Sequence, residues 1–124
     1  MILFLDDDPN RAALAYQRMN EEDRNNTIWC QTAEEAIYTL KDYKEVLTQV
    51  YLDHDLGGQT YVHSAREDCG MEVIRFIEKL SAEDLAYFNG TKFVVHTWNE
   101  SAGPKMVERL HKLGLGAEYK PLGS

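Results

Sequence analysis

The chain has 124 residues, 44% of them apolar and 27% charged, with a net charge of −8 at neutral pH. That is the size of one domain, here residues 1–124, with one sizeable core, and the acidic balance excludes broad electrostatic binding to duplex DNA or RNA. No apolar run approaches the roughly 20 residues of a membrane span, and "MILFLDDDPN" lacks the basic region of a signal peptide, so a cytoplasmic protein without membrane association is expected.

The run "ILFL" (2–5) is predicted to be a buried strand. Pro9 and the Ala/Leu-rich stretch behind it predict a helix over 9–22. "NNT" makes a turn and "IWCQ" (28–31) a short strand. Thr32 with Glu35 three residues later reads as a capping box, and Ala36, Ile37, Leu40 and Tyr43 follow at helical spacing. "VLTQVYLD" (46–53) leads into the third strand. Residues 57–69 are polar and aperiodic, a long loop. "GMEVIRFIEKL" returns to helical spacing with Val73, Ile74, Ile77 and Leu80 on one face. "KFVVHT" (92–97) is a fourth strand. "GPKMVERLHKL" (103–113) is a helix with Met106, Val107, Leu110 and Leu113 inward, stopped by Gly114. "AEYK" (117–120) is the fifth strand. Cys30 and Cys69 match no zinc spacing and read as free thiols. Strands alternating with helices specify an α/β fold, a parallel sheet covered by helices. Ligands of such folds sit beyond the carboxyl ends of the strands.

Polar groups gather at that edge. The first strand ends in Asp6, Asp7 and Asp8, and the third in Asp53, His54 and Asp55. The fourth ends in His96, Thr97, Trp98 and Asn99, and the fifth in Lys120 and Pro121. Acids crowded at one edge repel one another unless a cation neutralises them. Carboxylate oxygens suit Mg²⁺, and His54 and His96 would also admit Mn²⁺, Fe²⁺ or Zn²⁺. Asp8, before Pro9, reads as a helix cap, and His63 and His111 as structural histidines.

This arrangement resembles the receiver domain of bacterial response regulators over nearly the whole chain. "LFLDDDPNRAAL" looks like the receiver's first strand with its acidic pair, here Asp6 and Asp7. Asp53 falls at the phosphoacceptor aspartate, and Asp55 two residues on, where a backbone carbonyl helps bind Mg²⁺. "CGMEVIRFI" resembles the start of the receiver's third helix, and Lys120-Pro121 its Lys-Pro after the fifth strand. The resemblance implies a five-stranded flavodoxin-like sheet in the order 2-1-3-4-5. There are departures. His96 stands where a receiver has Ser or Thr, His54 sits between two acids, residues 57–69 lengthen a short loop, and the last helix is absent. "LDHDLGG" together with "HTWNESAGPKM" resembles a narrower family, the cyclic-phosphate processing receiver domains, whose proposed role is handling cyclic phosphates.

These residues suggest a metal-dependent phosphohydrolase acting on cyclic nucleotides or 2′,3′-cyclic phosphate ends. Asp6, Asp7, Asp53 and Asp55 would hold the metal, most simply Mg²⁺ with Mn²⁺ as an alternative. His96 and His54 would move protons beside Asp53. Lys120, Asn99, Thr97 and Arg66 would contact the substrate. Loop 57–69 would be a lid carrying Tyr61 and Arg66, with Trp98 placed to stack on a base. The main alternative is a binding module that captures a cyclic nucleotide or a phosphorylated partner without turnover. Less favoured are a phosphoacceptor receiver and a phosphatase of the haloacid dehalogenase type. The sheet face bared by the absent helix suggests a homodimer or a rearranged loop covering it.

Overall fold

A computed structural model describes residues 1–57, 63–66 and 68–122 of the chain. Its elements are β1 (Ile2–Leu5), α1 (Pro9–Arg18), α2 (Glu21–Asn25), β2 (Thr27–Cys30), α3 (Ala33–Tyr43) and β3 (Gln49–Leu52). They continue with α4 (Met71–Glu78), α5 (Ala82–Ala86), β4 (Lys92–Val95), α6 (Ala102–Lys112) and β5 (Gly116–Tyr119). The strands form one five-stranded parallel sheet in the order β2-β1-β3-β4-β5. This is the flavodoxin-like order that the resemblance implied. Among the described residues no helix follows β5.

Alternation along the strands sorts the two faces of the sheet. Leu3, Leu5, Val50, Leu52, Phe93 and Val95 enter the main core with Leu40 of α3, Ile74 and Ile77 of α4, and Met106 and Leu110 of α6. Phe4, with Tyr51 and Trp29, meets Ala12 and Ala15 of α1 on the other face. Because both faces are covered, β1 is apolar at every position, as a central parallel strand must be. Beside α1 a groove of about 440 Å³ remains, floored by Phe4, Tyr51 and Val94 and edged by Arg18, Lys120 and Leu122. Leu122 folds back onto the Phe4 cluster. Its N–H donates to the His96 carbonyl at 3.1 Å and its own carbonyl accepts from Trp98 Nε1 at 3.1 Å. The segment after β5 thus covers part of the face where a further helix would pack.

The elements depart from expectation in several places. The helix expected over 9–22 is two helices. Met19 turns extended, and the Asn20 side chain accepts from the Asp23 N–H, capping a new short helix. The Arg24 guanidinium then donates to the Met19 carbonyl at 2.8 Å and closes the break. The third strand is shorter than 46–53 because Val46 N–H and Leu47 N–H still bond the Tyr43 carbonyl, a turn finishing α3. Tyr43, the last of the residues at helical spacing in α3, is exposed at the helix end. Residues 82–86 form the unforeseen α5, capped by the Ser81 hydroxyl on the Asp84 N–H.

Candidate active site

The site begins as register. Leu5 pairs with Leu52, Leu52 with Val95, and Val95 with Tyr119. Each pairing carries one further bond past the strand end: Asp53 N–H to the Leu5 carbonyl, His96 N–H to that of Leu52, and Lys120 N–H to that of Val95. Asp6, Asp53, His96 and Lys120 therefore stand in one row where the backbones begin to diverge. Asp8 starts α1 as expected, accepting from the Asn10 N–H at 2.8 Å.

Asp6, Asp7 and Asp53 each place one carboxylate oxygen within 4.8 Å of the others. Asp6 is fully buried (0% exposed) and Asp53 nearly so. Three clustered oxygen donors on two adjacent strands fit a hard divalent cation, and they form an acidic cluster able to hold a metal. The positive charge present in the structure is Arg11, from the first turn of α1. Its Nε donates to Asp6 Oδ2 and its Nη2 to Asp6 Oδ1, both at 2.8 Å. Nη2 also lies 3.4 Å from both Asp7 Oδ1 and Asp53 Oδ2. Burial, helped by the charge on Asp6, pushes the Asp53 carboxyl up to about 7 against the pull of Arg11 and a Thr97 hydroxyl bond.

Both imidazoles are buried; His54 is held at both nitrogens and His96 at Nε2. His54 Nδ1 meets Asp55 Oδ1 at 2.8 Å and Nε2 meets the Ser64 hydroxyl at 3.0 Å. A carboxylate only accepts, so Nδ1 carries the proton in the neutral ring. Burial pulls the His54 pKa down, but Cys69 and Asp55 outweigh it and leave the imidazole above its ordinary value. The Cys69 thiol is also buried, which raises its pKa; His54 and the N–H groups of Met71 and Glu72 reverse that and lower it. His96 stacks on Phe4, ring centroids 4.9 Å apart. Its Nε2–H donates to the Leu5 carbonyl at 3.0 Å, while Nδ1 stands 3.8 Å from Asp6 Oδ2. Burial holds His96 below the ordinary imidazole value, so it is neutral at pH 7.

Asn99 joins the two halves. Its Nδ2 donates to Asp55 Oδ1 at 3.1 Å, and its Oδ1 accepts the Ser101 and Ala102 N–H groups at 3.2 and 3.0 Å where α6 begins. An amide engaged at both ends positions Asp55 and the helix rather than standing ready for a ligand.

The order of these motifs along one sheet edge is that of a known family. Residues 1–112 match the model of the cyclic-phosphate processing receiver domain. The chain belongs to that family. A crystal structure of the signal receiver domain of a Luxo repressor protein from Vibrio parahaemolyticus superposes with a TM-score of 0.62 at 16% identity, covering 99% of this chain and 78% of that one. At that identity the likeness concerns the receiver fold alone. No curated protein matches the chain.

The remaining candidates sit around this cyclic-phosphate processing receiver domain in different ways. Thr97 is buried against Asp53 and also accepts the Asn99 N–H at 3.2 Å. Lys120 edges the groove beside α1 and, among the described residues, makes no ion pair. Arg66 pairs with Asp68 at 2.6 Å. Tyr61 lies outside the described residues. Trp98 is 55% exposed at the rim, its ring available for stacking. Arg75 of α4 pins the end of the loop, donating to the Ser64 and Arg66 carbonyls at 2.6 and 2.7 Å.

Sequence reasoning missed Arg11, placed Ser64 only on the loop at the site, and read Cys69 only as a free thiol. Arg11 did leave a signal. A cation in the first turn of a helix opposes the helix dipole, so it needs acids in front of it, and the chain supplies Asp6, Asp7 and Asp8. Ser64 and Cys69 left none, because a hydroxyl and a thiol in an aperiodic loop look like any others.

Proposed function

We propose that this domain opens cyclic phosphodiesters hydrolytically, on cyclic nucleotides or 2′,3′-cyclic phosphate ends, with a divalent cation, most simply Mg²⁺, in the acidic cluster. The observation that carries the reading is the juxtaposition of Asp6, Asp7 and Asp53 with two buried imidazoles at neighbouring strand ends, His54 paired with Asp55 and His96 beside Asp6. A bound cation would polarise a phosphoryl oxygen and lower the pKa of its water. The chain's own groups do the rest. In the reaction a water oxygen bonds to phosphorus, one ester P–O bond breaks, and the proton ends on the departing alkoxide. His54, oriented by Asp55 and with its pKa raised, is the group we assign to that proton, carried at Nε2. His96 keeps its proton on the Leu5 carbonyl and stands beside Asp6. Thr97, Lys120 and Arg66 remain our candidates for phosphate oxygens. The free thiols Cys30 and Cys69 fit a reducing, cytoplasmic setting.

A binding module without turnover is the second reading. It is favoured by the burial of both imidazoles, neither of which faces open solvent. Chromatography of 2′,3′-cyclic nucleotides, 3′,5′-cyclic nucleotides and cyclic dinucleotides incubated with the protein separates the two. Cation-dependent linear product, abolished in Asp53→Asn and His54→Ala, is expected. Intact ligand that co-elutes with the protein would establish the binding module instead.

A further inference from the structure

We infer that Arg11 is a built-in competitor for the cation site, so that a divalent ion and the Arg11 guanidinium occupy the acidic cluster in turn. This rests on the proposed cation reading and concerns a residue that the reading does not use. One nitrogen, Nη2, contacts all three carboxylates of the cluster: Asp6 at 2.8 Å, and Asp7 and Asp53 at 3.4 Å. A divalent ion sharing those oxygens at about 2.0–2.6 Å would fall in the space that nitrogen fills. The two positive centres would also repel at contact distance in a partly dry site.

The contact is a strong one. The guanidinium meets Asp6 through two parallel N–H···O bonds, the geometry in which arginine binds a carboxylate best. It also reaches Asp8 Oδ2 from Nη1 at 3.3 Å. Asp6, by contrast, has no exposure to water, and its charge needs a partner inside the fold. The Arg11 side chain is 38% exposed, so it has a route outward that leaves α1 intact. A cation therefore meets a cluster whose charge is already partly offset, and must displace the resident charge to bind. Arg11 thus lessens the repulsion among the acids before any metal binds, and metal affinity is weakened by the work of that displacement.

The test is metal binding itself, by isothermal titration of Mg²⁺ and Mn²⁺ into the metal-free protein and into Arg11→Gln. The variant is expected to bind about tenfold more tightly or better, since two charge-assisted bonds no longer have to be given up. It is also expected to melt lower than the parent without metal and to gain more from added metal. Arg11→Lys, which keeps the charge but loses the fork, serves if Arg11→Gln does not fold, and should fall between the two. In the parent, the Arg11 Nε–H resonance should shift and exchange faster with water as Mg²⁺ is added. Equal or weaker binding by the variants, or an Nε–H signal unmoved while metal binds, overturns the competition and leaves the cation reading standing. No binding by parent or variants at millimolar metal overturns both.

Discussion

Asp53 lies under two opposing influences. Burial and Asp6 raise its pKa, while Arg11, Thr97 and the His54 N–H lower it, and the balance leaves it at about 7 against 3.8 in the open chain. Between those values the folded state keeps a proton that the unfolded state has lost. Stability contributed by this group therefore falls as pH rises through that window, and is flat on either side. His96 acts in the opposite sense, since a ring buried neutral costs stability as pH falls below its ordinary value. The difference between the parent and Asp53→Asn isolates the first effect. The variant is expected to be more stable near pH 8 by on the order of 1–3 kcal/mol, with the gap closing towards about pH 4. Urea melts across that range in metal-free buffer check it, and a gap independent of pH would contradict the assignment. The acids of this site could be read from residue types, because carboxylates ending neighbouring parallel strands must gather at one sheet edge. The titration could not, since it depends on how much water each carboxylate keeps.

At residue 70 the connection into α4 presses against the end of β3. The Gly70 N–H donates to the His54 carbonyl at 2.8 Å, and a Cβ built on Gly70 would lie 1.8 Å from the Asp53 carbonyl oxygen. That neighbour is backbone, so no rotamer change relieves the clash. The start of α4 and the end of β3 touch because residue 70 has no side chain. Gly70→Ala is expected to destabilise the protein by about 3 kcal/mol or more, and to shift the imidazole resonances of His54, which sits on the contact. Thermal melts with proton NMR of the histidines measure both. A variant with parental stability and an unmoved His54 would show that the close approach is not needed. At this level the sequence was informative about helices and less so about their ends. Thr32 caps α3 as read, its hydroxyl accepting from the Glu35 N–H at 3.1 Å, though the Glu35 carboxylate meets that hydroxyl rather than completing a capping box. Asn20 carried a similar signal three residues before Asp23, but it lay inside a stretch of good helix formers, where a cap competes with continuation.

The carboxylates of β1 and β3 are 46 positions or more apart in the chain yet neighbours in the sheet. A cation that binds them together must favour the folded state. At about a hundred times its Kd it adds roughly 2.7 kcal/mol, which is several degrees of Tm in a domain of this size. Because Asp53 titrates at about 7, protons compete for the same oxygen. The stabilisation is expected to be full above neutrality and to fade below it, affinity falling up to about tenfold per pH unit. Asp7→Asn is expected to lose most of the shift. Scanning fluorimetry with Mg²⁺, Mn²⁺ or chelator measures this, and a Tm indifferent to millimolar cation would sink it. The groove beside α1 belongs to the same level. It exists because only α1 and the segment ending at Leu122 cover that side among the described residues.

Strand and helix identity, the parallel sheet and the acidic edge were written in local pattern: apolar runs of strand length, helical spacing, caps, and charges placed where apolar runs stop. Those signals act over a few residues, so a linear reading can recover them. Contacts between distant positions left weaker traces or none. That Arg11 turns back into the acids, that His96 is sealed between Phe4 and Asp6, and that Asn99 is consumed in holding Asp55 all follow from the sheet register bringing separate strand ends together. Burial and charge at that edge then set each group's protonation, and both are properties of the packed fold rather than of any segment within it.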